Sequence, residues 1–275
     1  MINLDDKVIK DFGDEWEAYN QENLSKKELN DLFDNYFHIF PFEMISKNSI
    51  GFDMGCGSGR WAKLIAPRVK TLNCIEPSVS AIKEAKNNLK VFDNCKFFNN
   101  NVSDNPIRNN TQDFGYCLGV LHHIPDTKTG LENCIKKLKK GAPFLLYLYY
   151  KFDNKPLWYQ IIWKISNLFR VLISKMPFKV KLYITKIIAL TIYWPLAKIS
   201  YLIEKLGYKV ENIPLSSYRN TSIYTMCTDS LDRFGTKLEH RFTKDEIYIM
   251  MKNLGLTKIK FSEKSPFWVA VGVKN

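Results

Sequence analysis

A glycine-rich loop between a short apolar segment and a helical pattern carries the densest chemistry of this sequence. The loop Asp53-Met54-Gly55-Cys56-Gly57-Ser58-Gly59 follows the apolar residues Ile50–Phe52 and precedes the helical pattern Arg60–Ala66. Glycines at such a turn permit positive φ and let a ligand approach the backbone closely. The helix N-terminus beyond the loop offers free N–H groups to an anion. The pattern therefore predicts a ligand-binding turn between a strand and a helix.

Two known nucleotide-binding motifs, and a strand-to-helix turn without a ligand, are the interpretations to compare for this loop. The dinucleotide fingerprint G-x-G-x-x-G fails because Arg60 occupies its third glycine position, and no phosphate loop G-x-x-x-x-G-K-[ST] occurs. Glu76 stands 17 residues after Gly59, at the end of a second apolar segment, Thr71–Ile75. A carboxylate at the tip of a second strand is placed to accept hydrogen bonds from ribose hydroxyls. The remaining alternative is a turn whose glycines serve packing alone.

These segments resemble the class I S-adenosylmethionine-dependent methyltransferases, notably the small-molecule branch that includes quinone-biosynthesis enzymes. The resemblance is close over residues 48–150 and looser over residues 240–273. In that family, the loop that matches Asp53–Gly59 holds the methionine part of the cofactor. The acid that matches Glu76, followed here by Pro77, holds the ribose. The resemblance thus implies S-adenosyl-L-methionine as the cofactor and methyl transfer as the reaction.

Two further segments carry the resemblance. Asn99–Asp104 matches the segment beside the adenine, where the family usually has Asp-Ala and this chain has Asn101-Val102. An amide still bonds the adenine amino group through its carbonyl oxygen, so we expect this segment to bind adenine. Asp113–Asp126 matches the fourth strand and its loop, and the resemblance places Leu118-Gly119-Val120 at the cofactor.

His122 and His123 are the catalytic candidates. They follow the fourth strand, at the carboxyl edge where ligands bind in open α/β sheets. Methyl transfer requires alignment of the reactants, exclusion of water and sometimes removal of a proton. An imidazole, with an unperturbed pKa of about 6.5, suits the last task. The alternative is that the two histidines only close the loop by hydrogen bonds.

Aromatic residues on both sides of the predicted core are candidate substrate contacts. Trp16 either covers the cofactor site as a lid or anchors an N-terminal arm. Strand alternation puts Tyr147 and Tyr149 on one face and Tyr150 on the other. The first two either line a substrate pocket or pack against the helices that follow.

Three arginines in later polar segments complete the predicted substrate contacts. Arg219, Arg233 and Arg241 stand in probable loops, and loops carry function more often than scaffolds do. Their guanidinium groups suit bidentate binding of an anionic substrate. Local ion pairs with Asp229, Asp232 and Glu239 are the alternative.

Apolar segments that alternate with helical patterns predict an α/β fold. The expected architecture is a Rossmann-like, seven-stranded, mostly parallel sheet with helices on both faces, a final antiparallel hairpin and a helical insertion after strand 5. The predicted strands cover about residues 49–54, 71–76, 95–98, 113–119, 143–150, 256–262 and 267–273. The predicted domains are an N-terminal helical arm or lid (1–47), the cofactor-binding core (48–150), a basic amphipathic helical insertion (151–222) and the C-terminal part of the core sheet (223–275).

The insertion carries most of the charge of the chain. Of the formal net charge of +12, a net +9 lies in residues 151–209, which hold eleven Lys or Arg and two acids. Only 11 residues separate Lys186 from Lys198, with Pro195 among them. Because a membrane span needs about 20 apolar residues, we expect two or three amphipathic helices instead. They form either a cap with lysines on its wet face, or a contact for an anionic membrane surface or substrate.

Several classes of protein and site are disfavoured. The six cysteines form no C-x-x-C pair, so we expect buried free thiols, no metal site, and a small packing residue rather than a nucleophile at Cys56. The polar, acidic start predicts no signal peptide and hence a cytoplasmic protein, with a peripheral position at a membrane as an alternative. No N-P-P-Y or D-P-P-Y run and no Pro-Cys loop follows the fourth strand, which argues against a nucleic-acid partner.

The sequence therefore predicts S-adenosylmethionine-dependent methyl transfer to a small-molecule or lipid-linked acceptor, such as a glycan precursor or a quinone-like compound. Two alternatives stay open. One is an RNA or protein methyltransferase of the same fold, and the other is a non-catalytic cofactor-binding protein that docks to a membrane or a partner.

Overall fold

A seven-stranded sheet is the centre of the first of two structural units. The computed structural model describes residues 3–275. The strands are β1 (Ile50–Met54), β2 (Thr71–Ile75), β3 (Cys95–Phe98), β4 (Phe114–Leu118), β5 (Pro143–Tyr147), β6 (Leu256–Phe261) and β7 (Ala270–Lys274). Their order is β3-β2-β1-β4-β5-β7-β6, with β7 antiparallel to both of its neighbours and the other pairs parallel. The predicted fold class, including the final antiparallel hairpin, is confirmed.

The described residues form ten α-helices, which we number in chain order. They are α1 (Asp6–Ala18), α2 (Lys26–Phe37), α3 (Ala62–Ile65), α4 (Val79–Asn88), α5 (Thr127–Lys137), α6 (Leu157–Ile173), α7 (Phe178–Ile188), α8 (Trp194–Lys205), α9 (Ile223–Gly235) and α10 (Lys244–Asn253). A capping box formed by Thr243 and Glu246 opens α10. Several predicted bounds shift, among them the start of the helix after the glycine loop, which is Ala62, the end of β5 at Tyr147, three residues early, and the start of β7 at Ala270, three residues late.

The strand order reverses between β1 and β4, which defines the position of the site. Chain connections leave β1 toward β2 on one side, and the chain returns to β4 on the other side. Asp53 of β1 pairs in register with Tyr116 of β4, so the loops after Met54 and Leu118 emerge side by side. Ligands of open α/β sheets bind outside the carboxyl ends of the strands at this switch point.

Apolar side chains pack on both faces of the sheet, as expected for strands covered by helices. Phe114, Tyr116 and Leu145 belong to one buried cluster. Phe52 and Leu146 belong to the cluster on the opposite face. Because adjacent residues of a strand point to opposite faces, β4 and β5 contribute to both clusters, so the sheet is packed on both sides beneath its carboxyl edge.

The first unit comprises the residues up to Glu22, Leu29–Lys151 and Leu238–Asn275, and the second comprises Asn23–Glu28 and Phe152–Lys237. The insertion was predicted to end at residue 222, but α9 lies in the second unit. Polar contacts join α9 to the helices before it, since the Ser230 hydroxyl donates to the carbonyl oxygen of Thr185 at 2.9 Å. Sequence patterning could not reveal this, because α9 has the same amphipathic pattern whichever unit it packs on.

A continuous helix of 28 residues, Phe178–Lys205, dominates the second unit. It consists of α7, a π-helical turn (Ala189–Tyr193) and α8. The sequence predicted a break at Pro195, but the proline lies in the first turn of α8, where the preceding wide turn accommodates its missing N–H. Among the described residues, this one helix is long and apolar enough to cross a membrane, by length and composition only.

Two basic residues of the second unit are buried, although the sequence placed the lysines of this segment on a solvent-exposed face. Arg170 is 8% exposed and Lys181 is 1% exposed. The Arg170 guanidinium donates to the carbonyl oxygens of Thr236 at 2.9 Å and Lys237 at 3.1 Å. Both residues face the interior of the unit, on the side of their helices opposite to the large exposed apolar side chains.

Candidate functional site

The glycine loop is a backbone cradle at the carboxyl end of β1. Gly55, Gly57 and Gly59 have φ angles of +78°, +53° and +80°. Most L-residues avoid this left-handed region, so glycine is required for the path of the loop. A Cβ on Gly55 would lie 2.3 Å from a methyl carbon of Val120, which shows how closely the loops after β1 and β4 approach each other.

Glu76 connects the glycine loop to the end of β2. Its Oε2 accepts a hydrogen bond from the N–H of Gly57 at 3.0 Å, and its Oε1 accepts one from the N–H of Ser78 at 3.0 Å. Burial raises the pKa of Glu76 to about 7, although both of these hydrogen bonds lower it. Each carboxylate oxygen has a second lone pair, so Glu76 positions the loop and can still accept from a ribose hydroxyl.

Asp53 provides a buried carboxyl group directly before the glycine loop. Its side chain is 1% exposed, and burial raises its pKa to about 8 while the neighbouring Tyr116 hydroxyl lowers it. Its Oδ2 is buried without a hydrogen-bond partner, as is the hydroxyl of Ser58 in the same loop. Unsatisfied buried polar atoms are rare in folded proteins, and two of them beside one backbone cradle indicate a polar ligand there.

Cys56 packs within the loop, as the sequence predicted for a small residue. It is 5% exposed, and its thiol pKa is raised to about 11. The contact with Cys74 lowers this pKa, but burial and the nearby Asp53 and Glu76 raise it more. A thiol that stays protonated at neutral pH is a poor nucleophile. Of the six free cysteines, Cys95 alone is not buried.

A small cavity of about 50 Å³ lies beside the glycine loop at the predicted adenine position. Pro77, Asn101, Val102 and Val120, all predicted cofactor contacts, line it. The side-chain role predicted for Asn101 needs a correction. Its Oδ1 accepts from the backbone N–H groups of Ser103 and Asp104 at 2.8 and 2.9 Å, which uses both lone pairs of that oxygen inside the loop. The oxygen therefore shapes the loop and is not poised for the adenine amino group.

The loop after β4 forms the opposite wall of the site. Leu118 is 8% exposed, and the N–H of Gly119 donates to the carbonyl oxygen of Tyr147 at 3.2 Å. Gly119 has a φ of +79°, and a Cβ there would meet open space. The predicted contacts Leu118, Gly119 and Val120 thus lie on the side of β4 that faces the glycine loop.

Helix α1 lies over this edge of the sheet and contributes Trp16, which the sequence offered as a lid, together with Val8 and Phe12, which sequence reasoning missed. A Cβ on Gly57 would lie 2.9 Å from the indole of Trp16, so Trp16 rests directly on the cradle. The Phe12 ring packs edge-on to His123, with centroids 4.9 Å apart, and Val8 lines the cavity. Val8, Phe12 and Trp16 are spaced four apart, and this helical spacing was a signal that would have identified the whole face.

The two histidines are buried next to each other, 4.1 Å apart by ring centroid. The N–H of Tyr149 points at Nδ1 of His122 at 3.4 Å, which places the His122 proton on Nε2. Nδ1 of His123 lies 2.7 Å from the carbonyl oxygen of Leu238, which makes that nitrogen the donor. Burial lowers the pKa of His122 well below its usual value, with further lowering by the charges of His123, Arg241 and His240.

The tyrosines lie on the faces that alternation predicted. Tyr147 and Tyr149 pack with the cluster of Phe114 and Tyr116, and Tyr150 packs with the opposite cluster. The Tyr149 ring stacks on His122 with centroids 3.8 Å apart, and Tyr147 meets Tyr36 edge-on at 5.2 Å. These rings form an aromatic wall beside the histidines.

Each of the three arginines has partners near it in its own unit. Arg219 binds Glu204 of α8 bidentately, with two N–O distances of 2.7 Å, a partner that sequence reasoning did not consider. Arg241 pairs with Glu239 at 2.7 Å and lies over the Tyr149 ring, 4.9 Å from its centroid. Arg233 lies over the Trp163 ring at 5.7 Å. The local ion pair offered as the alternative is present for Arg241, and substrate binding by the arginines stays a prediction.

The site fits S-adenosylmethionine on its own chemistry. The loop Asp53–Gly59 offers a backbone cradle, Glu76 offers acceptors for ribose hydroxyls, and Val102 and Val120 line an apolar slot for adenine. The unpartnered Asp53 carboxyl oxygen can accept a hydrogen bond from a polar group of such a ligand. Among the described residues, no group of three or more His, Cys, Asp or Glu side chains is arranged to hold a metal ion.

Comparisons with known proteins agree with this geometry. Residues 52–146 match the family model described as a methyltransferase domain. The chain resembles the crystal structure of the YcgJ protein from Bacillus subtilis, with a TM-score of 0.51, 13% identity, and coverage of 87% of this chain and 71% of that one. It also resembles a SAM-dependent methyltransferase, possible histamine N-methyltransferase, from Thermotoga maritima, with a TM-score of 0.51, 13% identity, and coverage of 96% and 100%. These two likenesses show the fold. No curated protein sequence matches the chain.

Proposed function

We propose that the chain is an S-adenosylmethionine-dependent methyltransferase of class I, and that its acceptor is a small molecule or the small head of a lipid-linked molecule. The cofactor, held by the Asp53–Gly59 loop and Glu76, supplies an activated methyl group. The protein has to align an acceptor atom with that group, exclude water and, for some acceptors, take up a proton.

One observation carries the proposal for a small acceptor: α1 covers the reactive edge of the sheet. Trp16 rests on Gly57, Phe12 packs on His123, and the side chain of Asn3 is hydrogen-bonded to the backbone N–H and carbonyl oxygen of Asp126 at 2.7 Å each. A site covered by a helix of its own chain favours an acceptor that fits beneath that helix. It also keeps water from the reacting atoms.

His123 is the better placed of the two catalytic candidates. Its Nδ1 donates to the carbonyl oxygen of Leu238, which leaves the basic lone pair on Nε2, and its ring packs against Phe12 of the helix that covers the edge of the sheet. His122 is oriented in the opposite sense, since its Nδ1 lone pair is directed at the N–H of Tyr149. We therefore assign the proton-accepting role to His123 and a positioning role to His122, which stacks on Tyr149.

RNA and protein methyltransferases with this fold are the main competing function, and a non-catalytic cofactor-binding protein is the second. The covered edge argues against an RNA or protein acceptor, because a macromolecule needs an open surface around the reacting atom. The buried histidines and aromatic wall argue against a non-catalytic role, since simple cofactor binding does not require them at the reactive edge.

The test is transfer of a labelled methyl group. Purified protein is incubated with methyl-labelled S-adenosylmethionine and a cell extract, and the label is then measured in lipid, small polar, RNA and protein fractions. We expect label in the lipid or small polar fraction, and much less of it with the Gly57→Ala variant at the same limiting cofactor concentration, because its added Cβ meets Trp16. Label that is confined to RNA or protein would overturn the proposed acceptor class. A lack of transfer by a wild-type protein that binds the cofactor would favour the non-catalytic alternative.

A further inference from the structure

The helices of the second unit expose an unusually apolar surface. Of the 25 large hydrophobic side chains that are exposed among the described residues, 19 lie between Leu157 and Tyr208. Scattered exposed apolar residues are ordinary, but a concentration of this kind in one segment marks a contact surface.

On α6 the exposed apolar residues follow one face of the helix. They are Leu157, Ile161, Ile165, Leu168 and Leu172, which are 70, 47, 52, 66 and 60% exposed. The spacing of three or four residues is that of a single helical stripe. On the long helix Phe178–Lys205 a second stripe has the same spacing. It comprises Val180, Tyr183, Ile187, Leu190 and Trp194, which are 42, 69, 43, 43 and 42% exposed. We call these two stripes the apolar face.

The buried sides of these helices are rich in polar and small residues while most of their large aliphatic side chains are exposed, which is unusual for helices in water. Arg170 of α6 and Ser174, the residue directly after α6, are 8% and 2% exposed, and Thr185 and Ser200 of the long helix are both 0% exposed. Their hydrogen bonds are satisfied internally, for example from the Thr185 hydroxyl to the carbonyl oxygen of Lys181 at 2.8 Å. Small and polar residues inside with large aliphatic residues outside are typical of helices that contact lipid.

Positive charges surround the apolar face. Lys164, Lys175, Lys179, Lys186 and Lys198 are all exposed. The acidic residues between 151 and 209 are Asp153 and Glu204, and Glu204 is engaged by Arg219. Anionic headgroups attract such lysines by about 1 kcal/mol each while apolar side chains enter the boundary of the acyl chains.

We propose that the apolar face docks this protein on the surface of an anionic lipid bilayer, with both helices lying in the plane of the interface. A second copy of the chain is the less suitable occupant, because pairing two such faces brings the same lysines together and like charges repel. The long helix is expected to lie in the plane of the membrane and not to cross it, because only 11 uncharged residues separate the exposed Lys186 from the exposed Lys198. Such a run covers about 17 Å of a bilayer core of about 30 Å.

Co-sedimentation with lipid vesicles tests the proposal without an acceptor, so its outcome is independent of the acceptor proposed above. We expect the wild-type protein to sediment with vesicles of phosphatidylcholine and phosphatidylglycerol at low salt. It should bind vesicles of phosphatidylcholine alone at least about tenfold more weakly, and rising salt should weaken the anionic binding because ions screen the lysines. The fluorescence of Trp158 and Trp194, which are 49% and 42% exposed, should be quenched by brominated lipid.

Two variants, each with a matched control, separate the two contributions. Charge reversal to Glu at Lys164, Lys175, Lys179 and Lys186 should weaken vesicle binding by about 10² or more, whereas reversal of the exposed Lys70, Lys83, Lys86 and Lys90 of the first unit should change it far less. Substitution by Ser of Ile161, Ile165 and Leu168 should abolish quenching, whereas the same change at the exposed Val79, Val91 and Ile249 should not.

Circular dichroism and thermal unfolding establish that each variant is folded before it is compared. The proposal is overturned if the folded wild-type protein stays in the supernatant with anionic vesicles at low salt, or if the control variants lose as much binding as the face variants. A dimer in solution that dissociates in the Ile161, Ile165 and Leu168 variant, without any vesicle binding by the wild type, would assign the face to a second copy of the chain instead.

Discussion

The indole of Trp16 lies on the backbone of Gly57, so closely that a Cβ on this glycine would be 2.9 Å from the ring. Gly57 also donates its N–H to Glu76. Gly57, the central glycine of the loop, therefore contacts the Glu76 carboxylate at the end of β2 through its N–H and lies against the Trp16 ring of α1.

A methyl group at Gly57 should weaken cofactor binding. In Gly57→Ala, the new Cβ meets Trp16 and the space that the methionine part of the cofactor must approach, so we expect affinity to fall about tenfold or more. Isothermal titration calorimetry with S-adenosylmethionine measures the change. Gly141→Ala is the control, because Gly141 also has a positive φ of +81° but nothing lies within 4 Å of its Cβ position. Equal losses in both variants would mean that backbone strain alone is responsible.

Loss of the Glu76 carboxylate should weaken cofactor binding, whereas loss of a carboxylate on the protein surface should not. We expect Glu76→Gln to cost about 1–3 kcal/mol of binding free energy, because one acceptor oxygen becomes a donor that faces a backbone N–H or a ribose hydroxyl. Wild-type affinity should rise as pH increases through about 7, where the buried carboxyl ionises. Glu132→Gln, which alters a surface ion pair with Lys136, should leave the calorimetric affinity unchanged. A wild-type affinity in Glu76→Gln would remove this residue from the site.

The ligand-free protein should lose stability as pH rises from 6.5 to 8 because of Asp53. Burial raises the folded pKa of Asp53 from 3.8 to about 8, so in this range the folded state retains a proton that the unfolded state has released. The contribution of Asp53 to the free energy of unfolding is therefore fully present below pH 3.8, the pKa in the unfolded state. It falls by about 1.4 kcal/mol per pH unit until the pH reaches about 8, the pKa in the folded state. Urea unfolding of wild type and Asp53→Asn at several pH values isolates this contribution. We expect a shallower fall in the variant, and parallel curves for the two proteins would contradict the assignment.

Removal of the basic nitrogen of His123 should slow turnover without loss of cofactor binding. In His123→Asn, the amide nitrogen can still donate to the carbonyl oxygen of Leu238, but no group replaces Nε2. For an acceptor that must lose a proton, we expect the rate constant of methyl transfer to fall by about 10²–10⁴. His122→Asn retains an acceptor for the N–H of Tyr149 and should have a much smaller effect. The reverse order would make His122 the base, and unchanged rates in both variants would exclude histidine from proton transfer.

The sequence by itself determined the fold class and predicted most of the candidate cofactor site, because both depend on local patterns. The apolar periods predicted all seven strands, and the D-x-G-x-G-x-G loop with Glu76 identified two binding segments that parallel pairing of β1 and β2 brings together. The left-handed glycines and the acid at the strand end are properties of short segments, so no distant contact was needed to recognise them.

The tertiary structure decided what depends on distant neighbours. The sequence put Asn101 at the adenine through its oxygen, but two backbone N–H groups of its own loop occupy that oxygen. It treated the insertion as helices with wet lysines, but packing turns Arg170 and Lys181 inward and the large aliphatic residues outward. The direction in which an amphipathic helix faces is set by the surface on which it packs. The sequence of a helix shows that it has two different faces, but only the packed structure shows which of them is buried.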